Sequence, residues 1–199
     1  MTSAFDVLPA VSSADHIPGP EQGEWTYADY AAVPDDGHRY EIIEGVLYMA
    51  PAPGSAHQSA VTWFIFYLTT YVQVPGLGRV FTAPFDVELA PGTVVQPDVT
   101  VVLALNLGVV TPRGIVGAPD LVVEIASPST ATHDRSTKLQ VYSQAGIREY
   151  WIVDPHAHTV ELLVLEHGSY RTVSVFQGKA LLPSAVVPGL PVRVEQFFA

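Results

Sequence analysis

Residues 119–155 read PDLVVEIASPSTATHDRSTKLQVYSQAGIREYWIVDP, and the rest of the chain is best understood outward from them. Leu121-Val122-Val123-Glu124-Ile125 is a short apolar run rich in Val and Ile, ended by Ser127-Pro128-Ser129-Thr130. That pattern predicts a buried strand. Glu124 breaks it, and a carboxylate in a buried strand is costly unless it is paired or holds a metal. Asp134 suits a helix N-cap and Gly146 a C-terminal cap, so a helix is predicted over Asp134 to Ala145. Wound at about 100° per residue, Leu139, Val141, Tyr142 and Ala145 form one arc. Ser136, Thr137, Gln140, Ser143 and Gln144 form the other. Lys138 lies in the middle of the apolar arc and so points toward the sheet that carries Glu124. The chain has only two lysines, Lys138 and Lys179, which makes that placement notable. A structural ion pair would account for Glu124 and Lys138 taken alone.

Composition narrows the classes. A chain of 199 residues with 48% hydrophobic content suits one domain with a real core, here residues 25–199, behind a flexible tail over 1–24 rich in Ser, Pro, Gly and acid. No cysteine means no disulfide frame and no thiolate chemistry, in keeping with a reducing cytoplasm. A net charge of −11 is a poor balance for a tight, metal-free nucleic-acid binder. It weighs less against an enzyme whose site binds divalent cations, because these supply positive charge locally. The first sixteen residues lack a basic n-region and a long apolar stretch, so no secretion signal is expected. No run reaches the length of a membrane span.

Along the chain, Thr26 to Val33 predicts a short helix capped by Thr26. Tyr40 to Met49 predicts a hairpin turning at Glu44-Gly45. That gives Glu44 a turn role and leaves Glu41 unexplained in a strand body. Residues 57–72 (HQSAVTWFIFYLTTYV), with Ser55 as a candidate cap, predict a helix apolar nearly all round and therefore buried. His57 at its start reads as a packed core residue, with a ligand contact as the alternative. Arg79 to Leu89 and Val94 to Leu103 each predict one strand, with Pro97 at the start or edge of the second because it lacks an N–H. Residues 104–118 read as a loop. Strands follow at Tyr150 to Val153, Thr159 to Leu165 and Tyr170 to Phe176, with an edge element at the end. His156 and His158 read as a solvated surface pair. No Gly-rich phosphate loop, GxSxG elbow, HExxH motif or internal repeat occurs.

Four residues stand out: Glu41, Asp98, Glu124 and Lys138. Carboxylates on neighbouring strands can hold a hard cation such as Mg²⁺ or Mn²⁺ through oxygen. A nearby lysine can position a water or stabilise developing phosphorane charge. The ordered segments YEIIEG (40–45), PAPGSAHQ (51–58), QPDVTVV (96–102), DLVVEIASPST (120–130) and DRSTKLQVYSQAGIREYWIVDP (134–155), with the Tyr170 strand, resemble the PD-(D/E)XK nuclease superfamily. More closely they resemble its Uma-two family, a former domain of unknown function labelled as restriction endonucleases. The resemblance runs from about Trp25 to about Arg171. One position departs from the plain motif: a D/E-X-K lysine would fall at 126, which is Ala126. Helical side chains lean toward the N-terminus, so Lys138 on the following helix can replace it.

The resemblance implies an α/β (α+β) fold, a restriction-endonuclease-like mixed sheet flanked by helices with added β-hairpins. It implies that Asp98 and Glu124 hold Mg²⁺ or Mn²⁺, that Glu41 completes the acidic site, and that Lys138 assists the attacking water, with Gln140 and Tyr142 in support. The implied partner is a DNA substrate, with a homodimer plausible and no membrane. Two other classes remain open. One is a non-catalytic binding or assembly module on the same fold, which the acidic balance favours. The other is a carboxylate-pair hydrolase using Glu41 and Glu124, for example on sugars. Dependence on a divalent cation separates the three.

Overall fold

The structure is a computed structural model in which residues 11–50, 52–127 and 134–199 are described. Two mixed sheets carry the fold, preceded by the short helix α1 (Tyr27–Ala31), which Thr26 caps. One is built from β1 (Ser12–Ser13), β2 (Arg39–Ile43), β3 (Val46–Ala50), β5 (Val87–Ala90), β6 (Thr93–Val95), β8 (Val110–Thr111) and β9 (Gly114–Val116), in the order β1-β3-β2-β6-β5-β9-β8. The other is built from β4 (Gly78–Thr82), β7 (Val99–Leu103), β10 (Leu121–Ile125), β11 (Glu149–Asp154), β12 (Thr159–Glu166) and β13 (Ser169–Gln177), in the order β13-β12-β11-β10-β7-β4. Pairing is antiparallel except between β10 and β11 and between β5 and β9. Parallel neighbours need a crossover, and the chain between β10 and β11 carries helix α3 (Leu139–Ala145), preceded by a π-helical turn over Asp134–Lys138. Asp134, the predicted cap, is the first residue of that turn, and residues 128–130 of the predicted strand stop lie outside the described residues. Gly146 closes α3 in the left-handed conformation at φ 85°, as its sequence position predicts.

The core follows from strand alternation. On β10, Leu121, Val123 and Ile125 face a cluster with Val99, Val101, Trp151 and one side of α2 (Ser55–Leu68). Val122 faces the opposite cluster, with Val141 and Tyr142 of α3 and Ile43, Val87 and Val95 of the first sheet. A third cluster, with Ala14, Trp25, Ile42 and Leu47, covers the far side of that first sheet. The space between the two sheets is therefore the one into which Glu124 and Glu41 point, being two residues from Val122 and Ile43 respectively. Among the described residues no helix is long and apolar enough to cross a membrane.

Several expectations change. Arg79–Leu89 and Val94–Leu103 are not single strands. Each divides into two, β4 and β5, then β6 and β7, and the halves belong to different sheets. Each crossing is a short interruption, Ala83-Pro84-Phe85-Asp86 in the first and Gln96-Pro97-Asp98 in the second, and strand-like residues resume directly beyond it, so the halves read as one strand. The second crossing is Gln96-Pro97-Asp98, and it delivers Asp98 to the space between the sheets. Helix α2 begins at Ser55, with Gly54 as a cap that makes no side-chain hydrogen bond, and continues as a π-helical turn over Thr69–Gln73. It is not buried all round. Ala60, Phe64, Leu68 and Val72 face the core, whereas Phe66 and Tyr71 are exposed because only one face meets a sheet. On the outer side Trp63, Phe66 and Tyr67 pack their rings on one another. Residues 104–118 hold a 3₁₀ turn over Ala104–Val109 and the strands β8 and β9. His156 and His158 are exposed, as expected, with the His158 ring stacked on Phe198.

Residues 11–24 also depart from the tail reading. β1 pairs with β3, Ala14 is fully buried, and the Leu47 N–H donates to Gln22 Oε1. The strap is fastened at the β2–β3 turn, where the Gly23 and Trp25 amides both donate to the Gly45 carbonyl, at 2.8 and 3.0 Å. The turn residues Glu44 and Gly45 have φ of 51° and 76°, the primed geometry of a tight hairpin. A Cβ on Gly45 would lie 2.2 Å from the Gly23 carbonyl oxygen. Gly45→Ala is therefore expected to destabilise the protein by about 1–3 kcal/mol, read as a lower urea midpoint.

Candidate active site

Four side chains from distant parts of the sequence meet between the sheets. Lys138, at the last residue of the π-helical turn, is buried and places Nζ 2.9 Å from Glu124 Oε1 and 3.1 Å from the Glu41 carboxylate. Glu41 comes from β2 of one sheet and Glu124 from β10 of the other, so the ammonium ties the sheets together. Tyr142, one helical turn after Lys138, donates its hydroxyl to the same Glu124 oxygen at 2.5 Å. The i, i+4 spacing puts both donors on one face of the helix. Gln140 lies on the other face, is exposed, and does not join the site.

Asp98 completes the group. Its Oδ2 accepts from the Ile125 amide at 2.8 Å, which seats it beside the end of β10, and lies 3.0 Å from His57 Nε2. His57 stands in the first turn of α2, so the start of that helix is aimed at the site. Its Nδ1 is buried without a hydrogen-bond partner among the described residues. The packed-histidine reading of His57 therefore gives way to a direct contact with a site carboxylate. Glu44, by contrast, is exposed in its turn.

Gln96, which the sequence does not single out, organises the second flank. Its backbone N–H donates to Glu41 Oε1 at 2.7 Å. Its side-chain amide donates to the Tyr30 hydroxyl and to Asp86 Oδ1, both at 2.9 Å. Arg39 donates to Gln96 through Nε, at 3.2 Å to Oε1, and through Nη2, at 2.8 Å to the carbonyl. A Pro-Asp pair marks Asp98, but a buried glutamine on an irregular crossing carries no periodic signal.

The charges behave accordingly. Burial pushes the Glu41 carboxyl upward, but the Lys138 charge, the Gln96 amide and Arg39 outweigh it and hold the group below its ordinary value. Burial likewise opposes ionisation of Asp98, and the hydrogen bond and charge of His57, the Ile125 amide and Arg39 bring it below the usual range. Burial and then the Glu124 charge raise the Tyr142 hydroxyl well above its ordinary value, so it remains a donor.

Oxygen donors from Asp98 and Glu124, side by side on neighbouring strands, have the chemistry of a hard-cation site. They do not form a finished cage: among the described residues no three His, Asp or Glu side chains converge closely enough to hold a metal ion. The reason is visible in the contacts. Lys138 stands between Glu41 and Glu124, and both Glu41 oxygens are engaged by Lys138 and Gln96. A site that offers one or two carboxylates and leaves other positions to water and substrate oxygens is the usual arrangement for Mg²⁺.

Two mixed sheets flanked by helices give a restriction-endonuclease-like α/β fold. The chain belongs to the Uma2 family, described as "Putative restriction endonuclease", whose model matches residues 27–195. A crystal structure described as a putative nuclease belonging to DUF820, from Anabaena variabilis, has the same fold. It matches with a TM-score of 0.73 and 20% sequence identity, over 87% of this chain and 97% of that one. No curated protein matches the chain.

Two measurements test this network. Tyr142→Phe leaves a buried carboxylate one donor short and is expected to cost about 1–3 kcal/mol of unfolding free energy, measured in urea. Glu41, held below its unfolded value of 4.5, contributes stability that is complete above that value and lost as the pH falls through the lower folded value. Glu41→Gln should therefore be less stable than wild type at neutral pH, and the gap should narrow below about pH 4 in urea titrations run at both pH values.

Proposed function

We propose that this protein is a divalent-cation-dependent endonuclease that hydrolyses DNA phosphodiester bonds, with residues 25–199 as a single nuclease domain. The observation that carries the reading is the buried ammonium of Lys138 between Glu41 and Glu124, one strand from Asp98. Membership of a family described as restriction endonucleases supports it.

In this reading Asp98 and Glu124 hold Mg²⁺ or Mn²⁺. When bound, such a cation supplies positive charge beside the scissile phosphate and acidifies water. His57 and the Ile125 amide fix one oxygen of Asp98, which orients the other. Tyr142 fixes Glu124 from the helix side. Glu41 acts through Lys138 rather than as a ligand, since its oxygens already hold the ammonium and the Gln96 amide. Lys138 orients the attacking water and stabilises the negative charge that grows on the phosphate oxygens. The water oxygen bonds to phosphorus, one P–O ester bond breaks, and the leaving oxygen takes up a proton. Cutting both strands of a duplex takes two such sites, so a homodimer belongs to the proposal.

The test is calorimetric titration with Mn²⁺ and nicking of supercoiled plasmid, wild type beside Asp98→Asn and Glu124→Gln. Both variants are expected to lose the binding heat and at least about 100-fold of the nicking rate. Nicking that survives chelator, or survives in both variants, overturns the reading. A wild type that cuts no nucleic acid with any divalent ion would favour the non-catalytic module.

A further inference from the structure

The nuclease reading leaves a physical problem. Three buried carboxylates, Glu41, Asp98 and Glu124, face one lysine in a chain of net charge −11, and the substrate is a polyanion. Of the nine lysines and arginines, Arg113, Arg135, Lys138, Arg148, Arg171 and Arg193 each lie within ion-pair reach of a carboxylate. Arg39, Arg79 and Lys179 have no such partner among the described residues. Arg79 is exposed on β4 and Lys179 is exposed beyond β13. Only Arg39 belongs to the space between the sheets. It precedes Glu41 by two residues on β2, so the two side chains leave the strand on the same face. It is half-buried, so it also reaches solvent.

The way Arg39 is held is informative. Its Nε and one Nη2 hydrogen are taken by Gln96, through the side-chain oxygen and the carbonyl. Gln96 is itself fixed by Tyr30, Asp86 and Glu41. One edge of the guanidinium is thereby clamped by a neutral group, and no carboxylate neutralises the charge. The other edge, Nη1 and the second Nη2 hydrogen, has no hydrogen-bond partner among the described residues. That edge is a planar pair of donors, the geometry that matches two oxygens of a phosphate. Its field already reaches the site, since Arg39 helps hold both Glu41 and Asp98 ionised.

We propose that Arg39 is the phosphate clamp of the site, its outer edge gripping the non-bridging oxygens of a DNA backbone phosphodiester next to Asp98. The inference rests on the nuclease reading and adds the group that binds its substrate. A purely structural role for Arg39 would move stability and leave DNA affinity alone, so both are measured.

The experiment is fluorescence anisotropy of a labelled DNA duplex with the full chain, in Ca²⁺, across a salt series. Wild type is compared with Arg39→Ala, Arg39→Lys and Arg79→Ala, each checked by thermal unfolding. Arg39→Ala is expected to weaken binding about ten-fold and to reduce the slope of log Kd against log salt by about one. Arg39→Lys keeps the charge and loses the fork, so it should restore the slope and only part of the affinity. It also serves if Arg39→Ala fails to fold. Arg79→Ala should bind like wild type. Wild-type binding matched by folded Arg39→Ala, or by Arg39→Lys with neither affinity nor slope changed, overturns this inference and leaves the nuclease reading standing. A wild type that neither binds nor cuts DNA overturns both.

Discussion

The contact on which the rest of this structure depends is the buried ammonium of Lys138 between two carboxylates from different sheets. Burying Glu41, Glu124 and Lys138 separately would be costly, since each charge loses its water. Together, with the Tyr142 hydroxyl and the Gln96 amide filling further hydrogen-bonding positions, they are tolerated. Removing one partner would strand the others, which is a larger penalty than the intact cluster's net worth. Replacing a buried ion pair with apolar groups of similar volume is often neutral or stabilising, so packing alone does not call for these charges, in keeping with the catalytic role proposed for them.

Glu149 provides the contrast within the same molecule. It is a carboxylate on β11, as buried as Glu124, and next to it in the sheet order by one strand. Its oxygens accept from the Ala185 and Val186 amides, the Ser184 hydroxyl and the Trp151 indole. Four neutral donors from the C-terminal segment and its own strand satisfy it, and no cation among the described residues is involved. It pins the end of the chain to the sheet. The two buried acids thus differ in the kind of partner: neutral donors around Glu149, a lysine and a tyrosine hydroxyl around Glu124.

Much of this was legible in the chain itself. Glu124 announces itself by interrupting an apolar run, and Lys138 by falling on the apolar arc of a helix, because both signals rest on fixed periods of two and 3.6 residues. Glu41 was legible by elimination, once Glu44 had a turn to occupy. Gln96 was not, and for His57 the site contact was only the alternative to a packed core residue. Their roles arise where the start of α2 and the β6–β7 crossing meet the site, and neither position repeats with any period. The two-sheet architecture was hidden for a related reason. Val94 to Leu103 is apolar on both sides of Gln96-Pro97-Asp98, so the residues mark an interruption but not that the first half pairs in one sheet and the second in the other. The strap at residues 11–24 has the composition of a disordered tail. It is ordered by a handful of backbone contacts to Gly45 and Leu47 that composition does not encode.

The separation of Lys138 from Glu41 by 97 positions has a consequence for synthesis. Contacts between residues so far apart form only after the intervening loop closes, and such closures come late in folding. On the ribosome, β2 emerges long before the helix that bears the lysine. Until that helix has docked, Glu41 and Glu124 have no common counter-ion and no reason to share a buried space. A nascent or truncated chain ending before Lys138 therefore cannot assemble the charge cluster, whatever sheet it has already formed. The order of residues along the polypeptide acts as a timer that keeps the site unbuilt until most of the protein exists.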